Sequence, residues 1–172
     1  MSSSNAMKTL ADRFRRWYEH ERDCNAKIVQ MLASTPIEQR GRPEFEKALG
    51  RATHLITARE IWLSRLGHYD AAPASWNTPT ATLDELPQRF ERIEKAWTQY
   101  LERLDDAALA QTFEFGRPGQ GRWRWNVEGI LTQVNGHAWY HRGQIASLVA
   151  AAGGKAIDSD YIFFAKPEKI SD

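Results

Sequence analysis

Two histidines, His137 and His141, stand four residues apart in NVEGILTQVNGHAWYHRGQIASLVAAAGG, residues 126–154. On an α-helix that spacing places both imidazoles on one face, roughly 6 Å apart at Cβ. Two neutral ring nitrogens so placed can chelate one divalent metal ion. The same spacing also occurs where histidines are structural or solvated, so the pair alone leaves both readings open. Its position adds weight to the metal. At about 100° per residue, His137 and His141 fall beside Ile130, Val134 and Leu148, at the edge of the apolar stripe. Two buried imidazoles without partners would cost on the order of 1–3 kcal/mol each, and a shared metal would satisfy both.

Other residues with reactive chemistry have weaker patterns. His20 and His68 have no such spacing and are not expected to ligate. Cys24 lies on the apolar stripe of its helix, where a small buried thiol is commoner than a redox or nucleophilic one. RWRW at 122–125 mixes cations with aromatics, as surfaces for single-stranded nucleic acid do. It also reads as a half-buried strand with Trp inward and Arg outward, and no basic stripe elsewhere extends it, so the strand is the reading taken. Gly129, Gly136 and Gly143 recur every seventh residue, each costing about 1 kcal/mol against alanine inside a helix. Three on one narrow face predict that a helix, a partner subunit or a ligand approaches the backbone there.

The elements that must position these residues are helical. Apolar residues three or four apart mark helices over about 8–33, 43–66 and 83–104, with a fourth from Asn126, a plausible N-cap, to the Gly153-Gly154 pair. Pro36 stops the first and Gly67 closes the second. QTFEFGRPGQGRWRWN, ahead of the last helix, alternates aromatics around a Gly/Pro turn and predicts a short hairpin. KAIDSDYIFFAKPEKI reads as a short extended tail whose aromatics must pack somewhere. The expected fold is all-α, a four-helix bundle with a β-hairpin between the third and fourth helices.

A chain of 172 residues, 42% hydrophobic and 26% charged, suits one soluble domain with a proper core. Twenty-three basic and 22 acidic side chains leave a net charge of +1, which gives no general attraction to nucleic acid or anionic lipid. One cysteine excludes an internal disulfide. The opening residues form neither a signal peptide nor a membrane span, so a cytoplasmic protein is expected. Residues 1–7 read as a disordered start or a cloning remnant, 8–166 as the domain and 167–172 as a tail.

NGHAWYHRGQIASLVAAAGG resembles the final helix of the DinB/YfiT-like bundle proteins, whose usual form is HxxxHRGQ, an apolar run and glycines. THLITAREIWLSRL is similar to that family's second helix and DYIFFAK to its closing segment. The first helix departs: where many members carry YxxWAN, only Asn25 matches. The resemblance implies a divalent metal held by one histidine of the second helix and two of the last, here His54, His137 and His141. It also makes Arg142 and Gln144 part of the motif, either orienting a ligand or simply exposed. On a helical wheel His54 sits nearly opposite Phe45, Leu49 and Leu63, so periodicity alone predicts a solvated residue. A cleft between the second and last helices, open to solvent, would reconcile the two.

Several proteins resembling this one are metal-dependent thiol-S-transferases or isomerases using a low-molecular-weight thiol, which makes a thiol transferase the first functional expectation. The alternative is a non-catalytic stress-response or binding protein with a vestigial or structural metal. Zinc or nickel comes first among the metals, then iron or manganese, since three imidazoles accept all four. Metal binding is expected to fade below the ordinary imidazole pKa of about 6.5. A homodimer and a small thiol cosubstrate are the expected partners, with no nucleic acid and no membrane.

Overall fold

A computed structural model describes residues 9–168 apart from 118 and 120. The expected remnant at 1–7 and the last residues of the expected tail, 169–172, lie outside the described residues.

The first helix, α1 (Leu10–Ala33), begins in a capping box. The Thr9 hydroxyl accepts from the Asp12 amide at 3.0 Å, and the Asp12 carboxylate accepts from the Thr9 amide at 3.2 Å. Helix α2 (Pro43–Arg65) starts on a proline, whose missing N–H costs nothing in a first turn. It ends just before Gly67, at φ +80°, a conformation that side-chain-bearing residues avoid. Then come α3 (Leu86–Glu102), the short α4 (Asp106–Ala110), strands β1 (Thr112–Arg117) and β2 (Gly121–Asn126), α5 (Val127–Ala151) and α6 (Tyr161–Ala165). Asn126 caps α5, its side-chain oxygen accepting from the Gly129 amide at 2.9 Å.

The mostly helical fold with one antiparallel hairpin is the bundle expected from the sequence. Three details differ. The third helix starts at Leu86 rather than near 83 and ends at Glu102, because Leu83 and Leu104 pack on the core from flanking turns and extend the apolar periodicity past the helix. Helix α4 was not expected; Asp105 makes it by accepting from the Ala108 amide at 2.7 Å. The tail is not wholly extended, since Tyr161–Ala165 form one helical turn closed by Lys166 at φ 47°.

The hairpin pairs Phe113 with Trp125, Glu114 with Arg124 and Phe115 with Trp123. One face is therefore aromatic. On the other, Glu114 bridges Arg122 and Arg124 at 2.5 and 2.6 Å. The aromatic face is less buried than expected: Trp123 and Trp125 remain 40% and 42% exposed.

Helices α2 and α5 run antiparallel and form the closest pair in the bundle. Around them Ile28, Met31, Ile56, Ile93, Trp97 and Ile145 are fully enclosed. A buried ion pair crosses this core, Arg59 of α2 to Glu21 of α1, with Arg59 lying over the Tyr18 and Trp97 rings at 5.4 and 5.2 Å. Losing either partner would strand a charge in the interior, at a cost of about 3–5 kcal/mol. No helix among the described residues is long and apolar enough to cross a membrane.

Candidate metal centre

The α2–α5 seam brings His54, His137 and His141 together. The Nε2 atoms of His54 and His137 are 3.1 Å apart. One ring nitrogen from each histidine lies within 4.8 Å of the others. A tetrahedral ion at about 2.0–2.1 Å from each nitrogen spaces its ligands about 3.3 Å apart. The cluster is close to that size, and the donor set fits a divalent ion. No carboxylate or thiol joins the group among the described residues.

Gln144 fixes one ligand's orientation. Its side-chain oxygen accepts from His141 Nδ1 at 2.8 Å, which leaves Nε2 with its lone pair free. His141 is buried, whereas His54 and His137 are half-buried, so the cluster has an enclosed floor and an open side. Trp76, from the loop after α2, stands 6.3 Å from His54, and Tyr140 packs edge-on against His141 at 5.0 Å. Burial lowers the pKa of all three imidazoles. For His137, burial and then the neighbouring His141, His54 and Arg59 bring it down to about 4. Each imidazole is thus held toward its neutral form, the state that ligates, below the pH at which free histidine protonates. Three neutral nitrogens beside open space would leave a bound ion a coordination position for water or another ligand.

The remaining predicted residues fall elsewhere. Arg142 is buried, and the side chains that most influence its charge are Cys24 and Asp23 of α1 and Asp160 just before α6. One residue past His141 on a helix, it points about 100° away from that imidazole. His68 lies against Tyr100, ring centroids 4.8 Å apart. His20 is buried, with Nε2 2.9 Å from the Ser159 carbonyl oxygen and 3.2 Å from Cys24 Sγ. Among the described residues no other helix comes against the three glycines of α5, and what crowds Gly129 is the strand just before it. A Cβ on Gly129 would come within 2.2 Å of the Trp125 indole, whereas Gly136 and Gly143 have nothing within 4 Å.

Sequence reasoning missed Lys47 and Arg51, which precede His54 by seven and three residues on the same face of α2. The i, i+4, i+7 spacing was there to be read. Trp76 carried no such signal, because a loop has no periodicity.

A helical bundle with a three-imidazole site between two of its helices is a class of protein able to hold a metal ion. The chain belongs to the DinB family, whose family model matches residues 1–172. It is similar to the Protein DinB of Bacillus subtilis (strain 168), at 23% identity over 168 residues covering 88% of this chain and 95% of that protein. No solved structure matches.

Proposed function

We propose that the protein is a metal-dependent thiol-S-transferase in which His54, His137 and His141 ligate the metal. The observation that carries this reading is the trio of neutral imidazoles with one side open. A divalent ion bound there would lower the pKa of a thiol brought to it. The chain's own residues do the rest. Gln144 holds His141 in its ligating tautomer, and Trp76 stands beside His54. In the transfer, the thiol gives its proton to water and its sulfur attacks an electrophilic carbon. The S–C bond forms as the leaving group departs with its electron pair, and nothing is oxidised or reduced.

The test is to incubate zinc-loaded and nickel-loaded protein with small thiols and chlorodinitrobenzene and to weigh the conjugate by mass spectrometry. Conjugate formed faster than in protein-free controls, and not by His137→Ala, supports the reading. Stoichiometric metal with no conjugate for any thiol would instead support the non-catalytic binding protein.

We also propose a homodimer. Trp139 and Tyr140 are 45% and 65% exposed on adjacent positions of α5, large aromatic area for a free surface. Sedimentation at micromolar concentration should show twice the 19.7 kDa chain mass; monomer alone would contradict it.

A further inference from the structure

The histidine cluster is the middle of a longer seam whose two ends differ in chemistry. Toward the start of α2 a cleft of about 740 Å³ lies between the helices, lined by Lys47, Arg51, Gln144 and Ser147 over two glycines, Gly50 and Gly143. Both glycines leave it open: the nearest atom to a Cβ on Gly50 would be 3.8 Å away, and Gly143 has nothing within 4 Å. Gln144 belongs both to this cleft and to the cluster, through its bond to His141. Lys47 and Arg51 are exposed, and among the described residues neither is in an ion pair.

Toward the end of α2 a second cleft, of about 370 Å³, is lined by Trp62, Phe115, Trp123, Trp125 and Gln133, with Arg124 at its edge paired to Glu114. Trp76 links it to the cluster, 6.4 Å from Trp62 and 6.3 Å from His54. The order along the antiparallel helices is consistent. Lys47, His54 and Trp62 on α2 run opposite Ser147, His141 and Gln133 on α5. At about 1.5 Å rise per residue, Lys47 and Trp62 stand roughly 10 Å and 12 Å from His54 in opposite directions. Both clefts are in the size range that takes small ligands.

We propose that this seam binds two substrates: a carboxylate-bearing small thiol with its acid groups on Lys47 and Arg51, and a flat aromatic electrophile stacked on Trp123. The assignment rests on the thiol-transferase reading. Electrostatics set the first half. Neutral ligands leave a metal's two positive charges uncompensated, and two free cations lie beside it with no carboxylate in the cluster, so an anion is drawn to that end. Geometry sets the second. Arg65 lies over the Trp62, Trp76 and Phe115 rings at 4.7, 5.3 and 5.3 Å and Trp123 stacks on Phe115 at 6.0 Å, so the outer face of Trp123, 40% exposed, is left for a planar ring. The reacting sulfur and carbon would then meet at the histidines, between the two anchors.

The test is binding, which is independent of turnover. Titration calorimetry on zinc-loaded full-length protein compares mercaptosuccinate, a dicarboxylate thiol, with cysteamine, an amine thiol. Mercaptosuccinate should bind about tenfold tighter or better. The Lys47→Ala/Arg51→Ala double variant should erase the difference while retaining its zinc. Equal affinities in the parent protein, or a preference that survives the double variant, would overturn the basic subsite. Quenching of tryptophan fluorescence by dinitrobenzene should likewise weaken about tenfold in Trp123→Ala; an unchanged affinity would overturn the aromatic one. If conjugates form but these preferences are absent, the subsites fall and the thiol-transferase reading stands. If the preferences hold but no conjugate forms, the reverse is true.

Discussion

Two places in the bundle set a histidine four residues from a second soft ligand. On α5 it is His137 with His141, and on α1 it is His20 with Cys24. The helical geometry is the same, and the outcomes diverge because of what the rest of the chain brings. The α5 pair meets a third imidazole, His54, across a seam with open clefts at both ends. The α1 pair meets a lid of tail residues. His20 faces the Ser159 carbonyl and is packed by Tyr161 and Phe164 at ring distances of 5.2 and 5.3 Å, and Cys24 is 0% exposed. Burial raises the Cys24 thiol's pKa, so the reactive thiolate is disfavoured as well as covered. Ligand spacing on one helix therefore proposes a site, and the neighbouring element decides whether it has a third ligand and a way in.

That contrast can be broken most forcefully at the ligands. His137→Ala should weaken metal binding by at least about 100-fold, measured by titration calorimetry, because two imidazoles hold a divalent ion far less well than three. His20→Ala should leave the affinity where it was. Equal losses in both variants would mean that the two clusters had been assigned wrongly.

A second effect of comparable size concerns the closed pair. In the native protein Cys24 should react with an aromatic disulfide reagent at least about 100-fold more slowly than in denaturant, since it must wait for local opening. Fast labelling of the native protein would show that the tail does not seal it. Next comes Gln144→Ala, expected to weaken metal binding by about tenfold through loss of the hydrogen bond that orients His141. An unchanged affinity would reduce Gln144 to a surface residue.

The smallest expected effect is on pH dependence. His137 titrates near the ordinary value when unfolded and at about 4 when folded. As pH falls from about 6.5 toward 4, the unfolded chain takes up a proton that the folded metal-free protein does not, so this histidine's contribution makes the fold less stable. Denaturant midpoints of metal-free protein should fall more between pH 7 and pH 5 in the parent than in His137→Ala. Equal falls would contradict the shift. The depressed values also move metal release below the pH expected from free imidazole, so binding should persist under pH 6.5 rather than fade from there.

Much of this was legible in the letters. Four apolar periodicities located the long helices, and the hairpin followed from alternating aromatics around a turn. His137 and His141 were visible as a pair from spacing alone. His54 was not, because its place on the wheel is that of a solvated residue; a ligand in a cleft must sit off the core stripe, so wheel position argues against the residues that do this job. Arg142 shares a motif with His141, yet one step along the helix turns it about 100° away, among Cys24, Asp23 and Asp160. The Trp123 and Trp125 burial could not be read, since a two-stranded hairpin beside a bundle has no second layer to cover it.

The central claim is that three helix-borne histidines, not two, hold one metal ion. Elemental analysis of protein purified without a metal-affinity column tests it most directly, on the parent chain and on His54→Ala. About one divalent ion per chain is expected in the parent and little or none in the variant, with the helical circular dichroism of both alike. Full metal occupancy in His54→Ala would contradict it and leave His137 and His141 as a pair.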